Sequence, residues 1–155
     1  MSNCTISGNE QRADYAGFGA GIFNYYSNDV TLILENTIIA NSVVGTDFEG
    51  KAPTTNTNNL VETMGYITGT FTPSITADPK LGPLQNNGGF TKTMALLPGS
   101  PAIESADQTI IDLNPINGLD QRGFSRISSD IGAYPITLHP QAILSSARVP
   151  ITSWC

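Results

Sequence analysis

Near its amino end the chain writes one short phrase twice, SNCTISGN at Ser2 to Asn9 and LENTIIAN at Leu34 to Asn41. Laid over each other, the copies place Thr5 on Thr37, Ile6 on Ile38 and Asn9 on Asn41. A strand phrase that recurs at such a distance, with glycine-rich sequence between the copies, marks a chain that winds the same coil again. In such a coil, inward side chains stack on their equivalents about 4.8 Å away and the backbones of successive turns pair in parallel. Ile6 is therefore expected over Ile38. Asn at a corner tolerates left-handed backbone and can bond amide to amide, so Asn9 and Asn41 are expected to form a short ladder.

The composition fits this reading. Of 155 residues only 13% are charged, against about 25% in ordinary soluble domains, while Gly, Asn, Thr, Ser and Ile are plentiful. That mixture suits strands and tight turns rather than helices. The net charge is −6 and the seven basic residues are scattered, which removes the electrostatic footing for nucleic acid as a partner. No stretch approaches the roughly 20 apolar residues that span a bilayer, so membrane insertion is not expected. The opening MSNCTISGNE lacks the basic region and apolar run of a secretory signal. Because it begins inside a strand phrase, a longer parent with an upstream part is expected.

Along the chain, Gly17 to Asn24 reads as a turn feeding a short strand. Val30, Leu32 and Leu34 alternate before a bend near Asn36 and a second apolar pair, which describes two strands with a corner between them. From Val43 to Thr72 the periodicity weakens and turn formers multiply, a long excursion that returns at Asn58 to Val61. Residues 1–76 are thus read as a few rungs of an all-β, right-handed parallel β-helix with a loop excursion.

The phrases ADPKLGPLQNNGGFTKTMALLPGSPAIESAD (Ala77 to Asp107), LDQRGFSR (Leu119 to Arg126) and SDIGAY (Ser129 to Tyr134) follow. In order and spacing they resemble the carboxyl-terminal region of the bacterial choice-of-anchor Q proteins, a parallel β-helix family related to the polymorphic outer-membrane protein repeats. The likeness runs from Ser2 to Tyr134. The resemblance implies an exported cell-surface or secreted β-helix, tethered by an anchor that follows the motif and differs between members, with no established catalytic residues. In physical terms, Pro79, Pro83, Pro98 and Pro101 cannot donate backbone hydrogen bonds and so stop strand addition, and Gly82, Gly88, Gly89 and Gly99 permit sharp turns. Leu81, Leu84, Phe90, Met94, Leu96, Leu97 and Ile103 are expected to lie across the last open rung, making residues 77–134 a loop-rich cap. Residues 135–155 begin with Pro135 where the family commonly continues with Glu, carry no anchor, and are expected to form a poorly ordered tail.

Asp120, Arg122 and Asp130 admit two readings. An acid pair with a cation would suit glycoside chemistry; a partly buried Arg122 held by one or both carboxylates would lock the terminal loop. The structural reading is adopted. In the coil region Glu10, Asp14, Asp29, Glu35, Asp47 and Glu49 do not recur at the repeat distance, as carboxylates facing one catalytic groove from adjacent rungs would. No His/Cys cluster has zinc spacing and no GGxGxD calcium repeat is present; His139 is the sole histidine, and Cys4 and Cys155 lie at opposite ends. No catalytic, cofactor-binding or metal residue is assigned, and no cofactor is expected.

The expected function is that of a noncatalytic extracellular or cell-surface β-helix end domain, structural or adhesive, with extracellular polysaccharide or another cell-surface ligand as partner. A polysaccharide-binding or polysaccharide-cleaving module is the alternative, and Phe18, Phe23, Tyr25 and Tyr26 standing beside paired carboxylates would mark it. A third reading is end-to-end self-association through an uncapped first rung.

Overall fold

The computed structural model describes residues 1–11, 18–26, 29–113 and 117–136. The expected tail beyond Ile136 lies outside the described residues, as do Asp14, His139 and Cys155. The chain is all-β in character. Among the described residues the strands are β1 (Thr5–Ser7), β2 (Ile22–Asn24), β3 (Ile33–Glu35), β4 (Ile38–Ala40), β5 (Phe48–Lys51), β6 (Thr55–Thr57), β7 (Leu60–Val61) and β8 (Met64–Thr68), followed by one short helix, α1 (Gln108–Ile111). They enter three sheets in rotation: β1-β4-β7, then β2-β5-β8, then β3-β6. Every pairing between these strands is parallel. Among the described residues no helix is long and apolar enough to cross a membrane.

The corner that feeds the first sheet is made by asparagine. Asn3, Asn36 and Asn58 take left-handed backbone, with φ of 51°, 47° and 48°, a region that Asn enters more readily than most residues because its side chain bonds locally. Each stands two residues before a strand, so the repeated unit is Asn3-Cys4-Thr5-Ile6, Asn36-Thr37-Ile38-Ile39 and Asn58-Asn59-Leu60-Val61. The passes differ in length: Ser2 bridges Glu35 across 33 residues, whereas Thr37 bonds Asn59 across 22.

This register corrects the expected one by a single residue. Thr5 pairs with Ile38 and Ile6 with Ile39, so Ile6 does not sit over Ile38. A one-residue slip turns every side chain of a strand to the other face of its sheet, and the apolar residues sort correctly only in the observed register. Nor do Asn9 and Asn41 form the expected ladder. Both are exposed; the Asn41 Nδ2 donates to Ser7 Oγ at 3.1 Å, and Asn9 offers its carbonyl to the Val43 N–H at 2.8 Å. A fully buried amide that links passes is that of Asn59, whose Oδ1 accepts from Thr37 N at 2.9 Å while its Nδ2 donates to Leu34 O at 2.7 Å.

The stretch from Val43 to Thr72 is also not the loop its composition suggested. It holds β5 to β8. Strand β6, of sequence TNT, has no apolar residue to betray it, yet it pairs with β3 from Ile33↔Thr55 to Glu35↔Thr57.

Two apolar clusters lie on either side of the first sheet. Leu34, Ile39, Phe48, Val61 and Phe71, joined by Ile6, Ile22 and Ile67, form one that draws on all three sheets, which therefore pack around it. On the opposite face, Ile38, Ala40 and Leu60 are covered by Leu96, Ala102 and Ile131. Strand β4 is consequently buried at all three positions, which is why IIA shows no alternation. Each fully buried Ile or Leu contributes roughly 1.5–3 kcal/mol, more than a typical net hydrogen bond of about 1 kcal/mol, so apolar contact dominates this docking.

Residues of the segment expected to form a cap pack against the first sheet, including its middle strand β4. Leu96 is buried, and Leu81 and Ile103 pack beside it. Leu84, Leu97 and Phe90 do not join them; they are exposed. Antiparallel bridges Leu81↔Leu96 and Gln85↔Thr93 make this stretch a hairpin-like arm, and Phe90 lies in its connecting end, in solvent.

Candidate functional site

Strand β2 sends Ile22 inward and Phe23 outward, as the two-residue period of a strand requires. Phe23 is in register with Glu49 of β5. Around it gather Phe18, at 4.6 Å between ring centroids, Tyr26 at 5.9 Å and Tyr25 at 6.4 Å. Tyr66 of β8 extends the row, 6.4 Å from Tyr26. Phe23 meets Phe18, Tyr25 and Tyr26 edge to face, at 69° to 84°, while the Tyr25–Tyr26 and Tyr26–Tyr66 pairs are tilted by 51° and 60°. Tyr25 and Tyr66 remain 66% and 69% exposed. Gly65 keeps the adjacent surface low: a Cβ there would fall 2.6 Å from Glu49 Oε2.

The four rings named from sequence are therefore brought together and face outward, beside one carboxylate in register, Glu49. Tyr66 was not anticipated. Nothing local to its strand announces it; it joins the others because β8 is in the same sheet as β2. Contiguous exposed apolar surface of this kind marks interaction sites more often than chance would. Tyrosine adds hydroxyl groups to that surface, so it can hold a ligand that is apolar on one face and polar at its rim.

Asp120, Arg122 and Asp130 separate into two arrangements. Arg122 donates from Nε and Nη2 to Asp120 Oδ2 at 2.9 and 2.6 Å, and Asp120 Oδ1 accepts the backbone N–H of Arg122 and of Phe124. The guanidinium lies over the rings of Tyr134 and Phe124, at 4.1 and 5.0 Å. Asp130, fully buried, instead accepts the backbone N–H of Glu104 and Ile136 and the hydroxyl of Ser128. Each carboxylate is thus occupied in holding loop backbone, and Arg122 is held by Asp120 and not by Asp130.

Arg126 was missed from the sequence, although the same LDQRGFSR phrase carries it. Its guanidinium donates to the carbonyls of Leu119, Asp130 and Gly132 at 3.2, 3.2 and 2.6 Å. Burial pushes its pKa below the ordinary arginine value, opposed by the charges of Asp120 and Asp130; it remains a cation at neutral pH. Other acids also serve the frame. Asp47 accepts from Ser42 N and from Thr63 N and Oγ1, and Glu35 accepts from Ser2 Oγ at 2.7 Å.

A cleft of about 460 Å³ lies between the first pass and the carboxyl-terminal segment. Asn3, Cys4 and Thr5 form one side, Leu119, Gln121 and Arg126 the other. The Cys4 thiol is free and donates to Ser2 O at 3.3 Å.

No family model, curated protein or solved structure matches the chain.

Proposed function

We propose that the three parallel sheets are the faces of a right-handed parallel β-helix whose successive rungs are β1-β2-β3, β4-β5-β6 and β7-β8, that residues 77–134 are its carboxyl-terminal cap, and that the chain is a noncatalytic, adhesive end domain of the choice-of-anchor Q kind, working outside the cell or at its surface. Rotation of the strands through three sheets supports the coil, and the Pro- and Gly-rich arm docked on the first sheet supports the cap. The outward aromatic ridge of Phe18, Phe23, Tyr25, Tyr26 and Tyr66 carries the adhesive reading. Its partner is a polysaccharide, whose sugar C–H faces lie on the rings while its hydroxyls meet Glu49 and the tyrosine rim.

Affinity electrophoresis against a panel of bacterial and plant polysaccharides tests this reading. Retardation by at least one polymer is expected, weakened by Tyr66→Ala and by Tyr25→Ala without loss of fold. Retardation unchanged in both variants, or release of shortened sugar products by the wild-type chain, would overturn it.

A further inference from the structure

The first sheet sets Asn3 and Asn36 at the same corner of successive passes, because Ser2 pairs with Glu35 and Thr5 with Ile38. Both take left-handed backbone, but their side chains differ in what they meet. Asn36 Nδ2 donates to Asp107 O at 2.9 Å, and its Oδ1 accepts from Asp107 N at 2.8 Å. Asn3 is only 7% exposed, and neither its Nδ2 nor its Oδ1 has a hydrogen-bond partner among the described residues. Burying a carboxamide without partners is costly, and folded chains seldom tolerate it. Asn3 also lines the cleft that faces Leu119, Gln121 and Arg126.

We infer that this cleft is a peptide-binding site, in which one extended residue of another polypeptide presents its main-chain N–H and C=O to Asn3 as Asp107 does to Asn36. A carboxamide carries donor and acceptor in one plane and so matches the two main-chain groups that an extended residue shows on one side. Asp107 has that extended form, with φ −79° and ψ 114°. Both polar atoms of Asn3 lie beneath the surface of the free chain, so access goes through a rotation of its side chain into the cleft. Three main-chain carbonyls fix Arg126, which keeps the opposite wall in place during that rotation. The site is independent of the aromatic ridge and stands or falls without it.

The probe is acetyl-Ser-Ala-Asp-Gln-Thr-amide, which copies Ser105 to Thr109, the segment that Asn36 already holds. Titrated at millimolar concentration into the isotope-labelled full chain, it is expected to give saturable NMR shifts at the Asn3 side-chain amide and at the backbone amides of Thr5 and Gln121. Asn3→Ala should weaken binding by about tenfold or more, as expected when a paired donor and acceptor are removed together. A peptide N-methylated at its Asp lacks the donor and should lose a similar factor on the unaltered chain, which keeps the test sound if the variant misfolds. Equal binding of the methylated peptide, shifts confined to other regions, or no saturable shift would overturn the inference. Shifts at Asn3 that grow with chain concentration and without peptide would assign the cleft to contact between copies and overturn it too.

Discussion

Asn36, at the corner between β3 and β4, grips the main chain of Asp107 with both atoms of its carboxamide, bonding the carbonyl at 2.9 Å and the N–H at 2.8 Å. The two residues are 71 positions apart, and Asn36 is fully buried. One side chain therefore joins the parallel sheets to the carboxyl-terminal segment, and does so where its own backbone has φ of 47°. Asn36→Ala leaves a buried donor and acceptor unpaired and puts alanine in a left-handed conformation, for an expected loss of about 2–5 kcal/mol. Asn36→Asp keeps the acceptor and tolerates the left-handed backbone, but sets a buried carboxylate oxygen against the Asp107 carbonyl and should lose at least as much at neutral pH. Urea denaturation followed by far-ultraviolet circular dichroism measures both; an alanine variant within about 0.5 kcal/mol of wild type, the range of an ordinary surface change, would show that the clamp is incidental.

Asp120 has a fully buried side chain whose charge is met by Arg122. Arg122→Ala removes that partner and leaves Asp120 its backbone N–H donors and the charge of Arg126, so the cost should lie at or below the roughly 3–5 kcal/mol of a broken buried pair, with a melting temperature lower by up to about 10 °C for a chain of this size. Arg122→Lys retains the charge but loses the fork and the flat stack over Tyr134, so it should recover only part of the loss. Differential scanning calorimetry of the two variants decides. A lysine variant as stable as wild type would mean that charge alone, and not planar geometry, holds the loop.

How much of this was legible can be judged at the asparagines. The repeated phrase correctly announced that its two copies pair in parallel, because a recurring strand phrase stacks on its own copy. Its register was misread since identical letters, Thr5 with Thr37 and Ile6 with Ile38, align one residue away from the physical repeat. The backbone answers to the left-handed corner at Asn3, Asn36 and Asn58, and that conformation leaves only an Asn as its trace. Strands such as β6 stayed hidden because a two-sided polar strand in a narrow sheet has no apolar period. The aromatic residues before Ser27 were visible as letters, but Tyr66 needed the sheet order β2-β5-β8. Arg126 was overlooked because its partners are carbonyls, which every residue has and no sequence pattern singles out.

Asp107 also caps α1, accepting from Thr109 N at 2.9 Å and from the Thr109 hydroxyl at 2.6 Å. These bonds favour the ionised form, the hydroxyl most, and hold its pKa below the ordinary value of 3.8. A carboxyl with a depressed folded-state pKa contributes stability that is present above its unfolded pKa and is lost as pH falls through the folded value. Asp107→Asn keeps a capping acceptor but cannot titrate. Wild type should therefore exceed this variant at pH 6, and the gap should close below the ordinary carboxylate range. Urea midpoints at pH 6, 4 and 2.5 supply the measurement, and a gap that widens toward acid would refute the assignment.

Gly132 tests the docking of the carboxyl-terminal segment most directly, because it lies flat on the outer face of the first sheet. Its N–H donates to Asn36 O at 2.9 Å and the next N–H, of Ala133, donates to Thr5 Oγ1 at 3.0 Å. A Cβ at position 132 would fall 2.8 Å from both Ile38 Cδ1 and Thr5 Oγ1, on a backbone with φ of 101°. Gly132→Ala must therefore meet two costs, conformation and overlap, together about 2–5 kcal/mol. Gly123 provides the control, since its φ is 85° and a Cβ there would meet nothing within 4 Å. Gly123→Ala should lose only the conformational part, about 1–2 kcal/mol. The difference between the two variants isolates the contact between Gly132 and the sheet. If chemical denaturation gives them equal stability, the segment is not seated on Ile38 and Thr5, and the two-sided burial of β4 would need another cover.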